Sequence, residues 1–168
     1  HFGSYGTACL DSNSGRILWT RRDFACNHWR GPGSSPVIAG KHLIVAYDGY
    51  DLQFVVALDK QTGKTIWKRD RNIDYGTDNG DRKKAYSTGA LIDVNGRSQF
   101  VSPSAVETIS YDPATGEEFW RIRHGGMNAA IRPLVGNGLL YIAAGSGPTS
   151  LVAIRPDGFG DITETHMA

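Results

Sequence analysis

The chain has 168 residues, enough for one ordinary domain core. Its 18 Lys and Arg against 17 Asp and Glu leave a net charge of +1, which gives no electrostatic footprint for nucleic acid or an anionic membrane surface. No stretch approaches the roughly 18 apolar residues of a transmembrane helix, no signal peptide is visible at His1–Ser4, and two cysteines, Cys9 and Cys26, are too few for a disulfide-stapled scaffold.

Short apolar runs rich in Val, Ile, Leu, Tyr and Phe, broken every few positions by turn residues, predict an all-β chain. His1 to about Tyr5 reads as the end of a strand. ACLDSNSGRILW (8–19) follows: a strand ending on Asp11, a turn containing Gly15, and a strand ending on Trp19. SSPVIAGKHLIVAYDG (34–49) is a hairpin turning at Gly40. VALDKQTGKTIW (56–67) repeats the first phrase with Asp59, Gly63 and Trp67. STGALIDVNGRSQFVSPS (87–104) is the next hairpin, turning at Asn95-Gly96. ISYDPATGEEFW (109–120) supplies Asp112, Gly116 and Trp120, and IRPLVGNGLLYIAAGSG (131–147) turns at Asn137-Gly138. A degenerate copy, LVAIRPDGFGDIT (151–163), has Arg155 for Asp and no Trp.

The Asp residues recur at spacings of 48 and 53 residues, and each position in the phrase has a physical task. The Asp accepts hydrogen bonds from the N–H groups of its own turn. The Gly takes φ > 0, as a short hairpin with a bulge requires. The Trp plugs the junction with the neighbouring unit. Each unit has four antiparallel strands, A to D, which is the period of a β-propeller blade. Blade ends fall near 20, 67 and 120, and residues 121–168 form an incomplete fourth blade with A, B, C and a started D. The expected fold is one partial propeller domain over 1–168, an arc of about three to four blades from a seven- or eight-bladed ring. The hairpin at Ser12–Gly15 sets Cys9 opposite Leu18 and leaves Cys26 too distant for a Cys9–Cys26 disulfide.

The ALDxxTGxxxW phrase resembles the repeat of the pyrroloquinoline-quinone (PQQ) dehydrogenases and, equally, that of their non-enzymatic envelope relatives of the BamB type. The likeness spans nearly the whole chain and implies a periplasmic or cell-envelope location. For the enzymes it also implies a vicinal Cys–Cys pair, a Trp floor and a calcium ion around the quinone, with an Asp base. No Cys–Cys pair is present, no GxSxG or other nucleophile motif occurs, and the five histidines do not cluster at ligand spacing. No catalytic residue is assigned and no cofactor is expected, with PQQ and calcium as the alternatives. The reading is a binding or scaffold propeller whose partner is a protein or the remaining blades of its own chain. The alternative is a fragment of a PQQ-dependent oxidoreductase.

In a propeller the D–A and B–C loops emerge on one face. Here these loops are 20–33, 68–85 and 121–130, and 48–53, 103–107 and 146–150. Long loops on a rigid scaffold are where binding concentrates. His28, Trp29, Arg30, Asp48, Tyr50, Asp51, Tyr75, Arg82, His124 and Asn128 are the binding-face candidates. Asp74, Asp78 and Asp81 are candidate calcium ligands, or else carboxylates of a solvated turn paired with Arg82 and Lys83; their spacing is not that of an EF-hand.

Overall fold

The computed structural model describes residues 1–144 and 150–168. Fourteen strands form in chain order among the described residues, accompanied by two single 3-10 turns, Gly3–Tyr5 and Gly80–Arg82. Strands β1 (Thr7–Leu10) and β2 (Ile17–Arg21) make a two-stranded sheet. Strands β3 (Val37–Ala39), β4 (His42–Asp48), β5 (Gln53–Asp59) and β6 (Thr65–Asp70) make an antiparallel sheet in sequential order. Strands β7 (Ala90–Val94), β8 (Arg97–Pro103), β9 (Glu107–Tyr111) and β10 (Glu118–Arg123) repeat it. Strands β11 (Leu134–Gly136), β12 (Leu139–Ala144) and β13 (Ser150–Ile154) give three strands of a further unit. The fold is all-β, an arc of propeller blades, and among the described residues no helix is long and apolar enough to cross a membrane.

The repeated phrase builds the same turn three times. Gly15 N–H donates to Asp11 O, Gly63 N–H to Asp59 O and Gly116 N–H to Asp112 O, each at 2.8 Å. The glycines sit at φ of 69°, 72° and 72°. The Asp side chains close these turns: Asp11 accepts from the Ser14 N–H, Asp59 from the Thr62 N–H and Asp112 from the Ala114 N–H, at 2.8, 2.8 and 2.7 Å. These bonds hold the Asp11 and Asp59 carboxyls below the usual range, led by the Ser14 hydroxyl for Asp11 and the Thr62 N–H for Asp59.

The second and third of these turns are each the socket for the Trp of the preceding blade. The Trp19 ring lies over Gly63 and its N–H donates to Lys60 O at 3.1 Å. The Trp67 ring lies over Gly116 and its N–H donates to Pro113 O at 3.2 Å. Trp67 and Trp120 are buried. Trp19 is half-buried rather than largely buried, because the exposed two-stranded sheet it belongs to covers it less. Trp120 departs from the pattern. Its N–H donates to Gln99 Oε1 at 2.8 Å, and Gln99 Nε2 passes the connection on to Pro156 O at 3.1 Å. Gln99 thus bridges to the carbonyl one residue past Arg155, the place Pro113 holds relative to Asp112.

Further expectations are corrected. Gly3–Tyr5 is a 3-10 turn rather than the end of a strand. Cys9 pairs with Trp19, not Leu18, because a bulge shifts the register between Cys9 and Leu10. The bulge recurs between Ala57 and Leu58 and between Glu118 and Trp120. Both cysteines are free. The start of strand D in the fourth blade is not a simple continuation. Residues Gly160–Asp161 (β14) leave the blade and pair in parallel with Trp120 and Arg121 on the outer edge of β10. Ile162 is buried there beside Trp120 and Leu140. The chain then returns to its own blade, where Met167 bridges Ile154 in antiparallel fashion.

Candidate loop-face binding site

The loops after β2 and β6 meet the β4–β5 loop, as the propeller arrangement requires. Asn27 N–H donates to Asp51 Oδ1 at 2.7 Å, and Tyr50 N–H donates to Asn27 O at 2.6 Å. The Cys26 thiol lies against Gly49 and donates to Leu52 O at 3.4 Å. Burial pushes this thiol up to about 12, so it is an unreactive packing group. Gly80 is pressed on the other side of Tyr50, where any Cβ would collide with the ring. Three loops are thereby locked around one tyrosine.

Trp29 stands at the outer edge of this assembly. Its φ is 59°, a left-handed value rare for a bulky side chain. The strain is held by Trp29 N–H donating to Asn27 Oδ1 at 3.0 Å and Arg30 N–H donating to His28 O at 2.6 Å. The result is an indole 69% exposed beside Tyr50, itself 41% exposed, with ring centroids 6.5 Å apart and planes at 36°. Arg30, next to Trp29 in the chain, and Arg82, on the loop after β6, are exposed as well. Asp51 is exposed too, with its Oδ1 occupied by the N–H groups of Asn27 and Leu52.

The other candidates take different places. Asp48 is buried and forms a bidentate ion pair with Arg71, whose guanidinium also donates to Ser102 O and Ser102 Oγ at 3.2 and 2.9 Å. Burial pushes the Asp48 carboxyl up, against the pull of Arg71. Burial alone would lower the Arg71 guanidinium, but the Asp48 carboxylate raises it overall. His28 is buried beneath Gly3 and Pro32, its Nε2 unpartnered and its pKa lowered by burial. Tyr75 is half-buried with its hydroxyl 3.1 Å from Ser104 Oγ, and burial pushes the phenol up to about 12. His124 Nδ1–H donates to Gly125 O and its Nε2 accepts from Thr108 Oγ1 at 3.0 Å; burial lowers its pKa. Asn128 adopts φ 55° and donates its N–H to Lys84 O. The face thus divides into an exposed part around Trp29 and Tyr50 and a buried part around Asp48. Of the third B–C loop, 146–150, residues 146–149 lie outside the described residues.

Asp74, Asp78 and Asp81 do not converge. Asp74 accepts from Gly76 N–H at 2.8 Å, Asp81 pairs with Lys84, and among the described residues no three His, Cys, Asp or Glu side chains gather as a metal requires. Nor do the residues present fit the quinone. The two cysteines lie in separate elements and form no vicinal pair, and the indoles of Trp19, Trp67 and Trp120 are engaged at blade junctions, which leaves Trp29 as the one free indole. Arg71, Ser102, Ser104 and Gly80 are not legible as site residues in the sequence, since they carry no local motif.

A family model described as outer membrane protein assembly factor BamB matches residues 4–77 and 51–158. No curated protein matches the chain in sequence. Among solved structures it is similar to BamB from Moraxella catarrhalis, with a TM-score of 0.66 and 18% identity over 90% of this chain and 44% of that one. It is similar also to a quinohemoprotein alcohol dehydrogenase from Pseudomonas putida HK5, with a TM-score of 0.62 and 18% identity over 92% of this chain and 30% of that one. The corresponding enzyme from Comamonas testosteroni gives 0.57 and 13% over 91% and 29%. The chain spans less than half the length of these structures, and at such identity the likeness concerns the fold alone.

Proposed function

The chain belongs to the PQQ-like repeat propeller family, and from that premise we propose that it acts as a protein-binding scaffold in the bacterial cell envelope. One observation carries the reading: Trp29 is held at a strained φ of 59° with most of its indole in solvent. Strain of this kind costs about 1–3 kcal/mol and persists where the surrounding structure over-determines it, typically at functional positions. Trp, Tyr and Arg are also the residue types that dominate binding energy at protein interfaces. The opposite face offers mainly tight turns such as Asp59–Gly63.

An oxidoreductase reading draws on the likeness to alcohol dehydrogenases. The two separate cysteines of this chain, Cys9 and Cys26, do not support it. The test is a comparative pull-down from envelope extract with the full-length protein. Trp29→Ala with Arg30→Ala in one variant is expected to lose the captured partner. Lys60→Ala with Gln61→Ala in another, on the opposite face, is expected to keep it. Loss in the second with retention in the first overturns the assignment.

A further inference from the structure

We propose that the loop carrying Trp29 is a pH-gated element, docked by the neutral His28 ring and released when that ring takes up a proton. The proposal concerns regulation of the face read above as the binding site and rests on that reading. Its test needs no partner, so the two can fail separately.

Between Cys26 and Ser34 the chain runs without a strand, and His28 is the one buried residue of 27–33. Trp29 and Arg30, next to it, are exposed. A loop tip with one buried side chain is held chiefly by that side chain, and here it is titratable rather than apolar. The ring is pressed against Gly3 and stands 5.9 Å from the Tyr47 ring. Its Nε2 is shut off from solvent and has no hydrogen-bond partner among the described residues.

In the neutral ring that atom can carry a bare lone pair, which the site tolerates. The imidazolium carries an N–H on both nitrogens, so protonation creates a buried donor with nothing to accept it. The titratable groups around the ring do not supply the acceptor. Asp48, at the end of β4, is engaged by Arg71. Asp51, on the β4–β5 loop, accepts from the N–H groups of Asn27 and Leu52. His1 packs edge-on against Tyr47 at 5.4 Å, with its Nδ1 2.8 Å from Thr7 Oγ1. Burial outweighs the pull of the two aspartates and holds the His28 pKa below 6.5. Once the ring leaves, the left-handed strain at Trp29, φ 59°, favours release of the tip and separates the indole from Tyr50.

The test is hydrogen exchange on the full-length protein between about pH 8 and pH 5, corrected for the intrinsic pH dependence of exchange. It is read at the amides of Asn27, Trp29 and Arg30, which are bonded in the docked loop. Their protection is expected to be lost progressively as pH falls from 6.5 toward the pKa of the buried ring. The Gly63 and Gly116 amides of the blade turns should stay protected. His28→Gln, neutral at every pH, should remove the pH dependence, and His28→Phe, which keeps a ring in the site, should do the same. His1→Gln and Asp51→Asn should keep it. Protection that stays flat in the parent protein, a pH dependence that survives in both His28 variants, or one that disappears in His1→Gln or Asp51→Asn while surviving in the His28 variants would each overturn the gate. A gate that behaves as expected while the Trp29→Ala, Arg30→Ala variant keeps its partner in the pull-down would remove the loop-face reading and leave the gate as a property of the loop.

Discussion

A charge held out of water must find its counter-ion inside the fold, and Asp48 finds Arg71, with Ser102 and Ser104 accepting and donating around the pair. Removing one partner leaves the other buried and uncompensated, so Asp48→Ala should cost about 3–5 kcal/mol in denaturant unfolding. Pairing it with Arg71→Met should recover much of that loss, a non-additivity the double-mutant cycle reads directly. Sequence alone sets Asp48 on the exposed binding face because it follows a strand and precedes a loop. Its partner lies 23 residues away, and nothing in residue type or spacing announces a through-space pair. Trp29 is the reverse case: it is legible as a binding candidate, but its left-handed backbone is not. The buried histidines give a pH dependence of definite sign. Burial lowers His28 and His124 below the ordinary value of 6.5, so both favour the folded state while neutral. Their contribution is present above pH 6.5 and is lost as pH falls through that value toward the folded pKa. Thermal melts between pH 7 and pH 5 should show a declining midpoint, with a shallower decline in His28→Gln. An identical slope in that variant would show that His28 is not held neutral.

The Asp–Gly–Trp phrase specifies a hairpin, a socket and a plug, and these are legible because turn chemistry is local. The bulge before each Trp is not, since a register shift is set by the pairing of two strands rather than by one of them. The Gln99 relay and the β14 detour are illegible for a similar reason: both answer the loss of the standard turn in the degenerate copy at 155–161. The three glycines provide an internal comparison. Gly15 has φ of 69° and open space where a Cβ would project, whereas a Cβ on Gly63 falls 2.7 Å from the Trp19 ring and one on Gly116 falls 2.6 Å from the Trp67 ring. Gly15→Ala should therefore incur only the left-handed conformational penalty, about 1–2 kcal/mol. Gly63→Ala and Gly116→Ala should cost about 1–3 kcal/mol more through overpacking against an indole. Equal unfolding midpoints for Gly15→Ala and Gly116→Ala would show that the Trp67 socket yields without cost.

Across the whole molecule the blades supply rigidity and the loops supply chemistry. The end units leave Leu10, Ile17, Leu134, Val135 and Leu151 exposed, on the surfaces where stacked repeats bury one another. Architecture is readable from the period because each blade repeats a single solution. The binding face is readable only as a set of loops, and its division into a buried ion-pair region and an exposed aromatic platform requires their three-dimensional convergence. The central claim is that this platform is where the protein meets its partner. The most direct measurement is site-specific photo-cross-linking in intact cells, with a photoreactive residue placed singly at Trp29, Tyr50, Lys60 or Asn95 of the full-length protein. Discrete adducts from positions 29 and 50, with none from 60 and 95, are the predicted result. Adducts confined to positions 60 and 95 would contradict it.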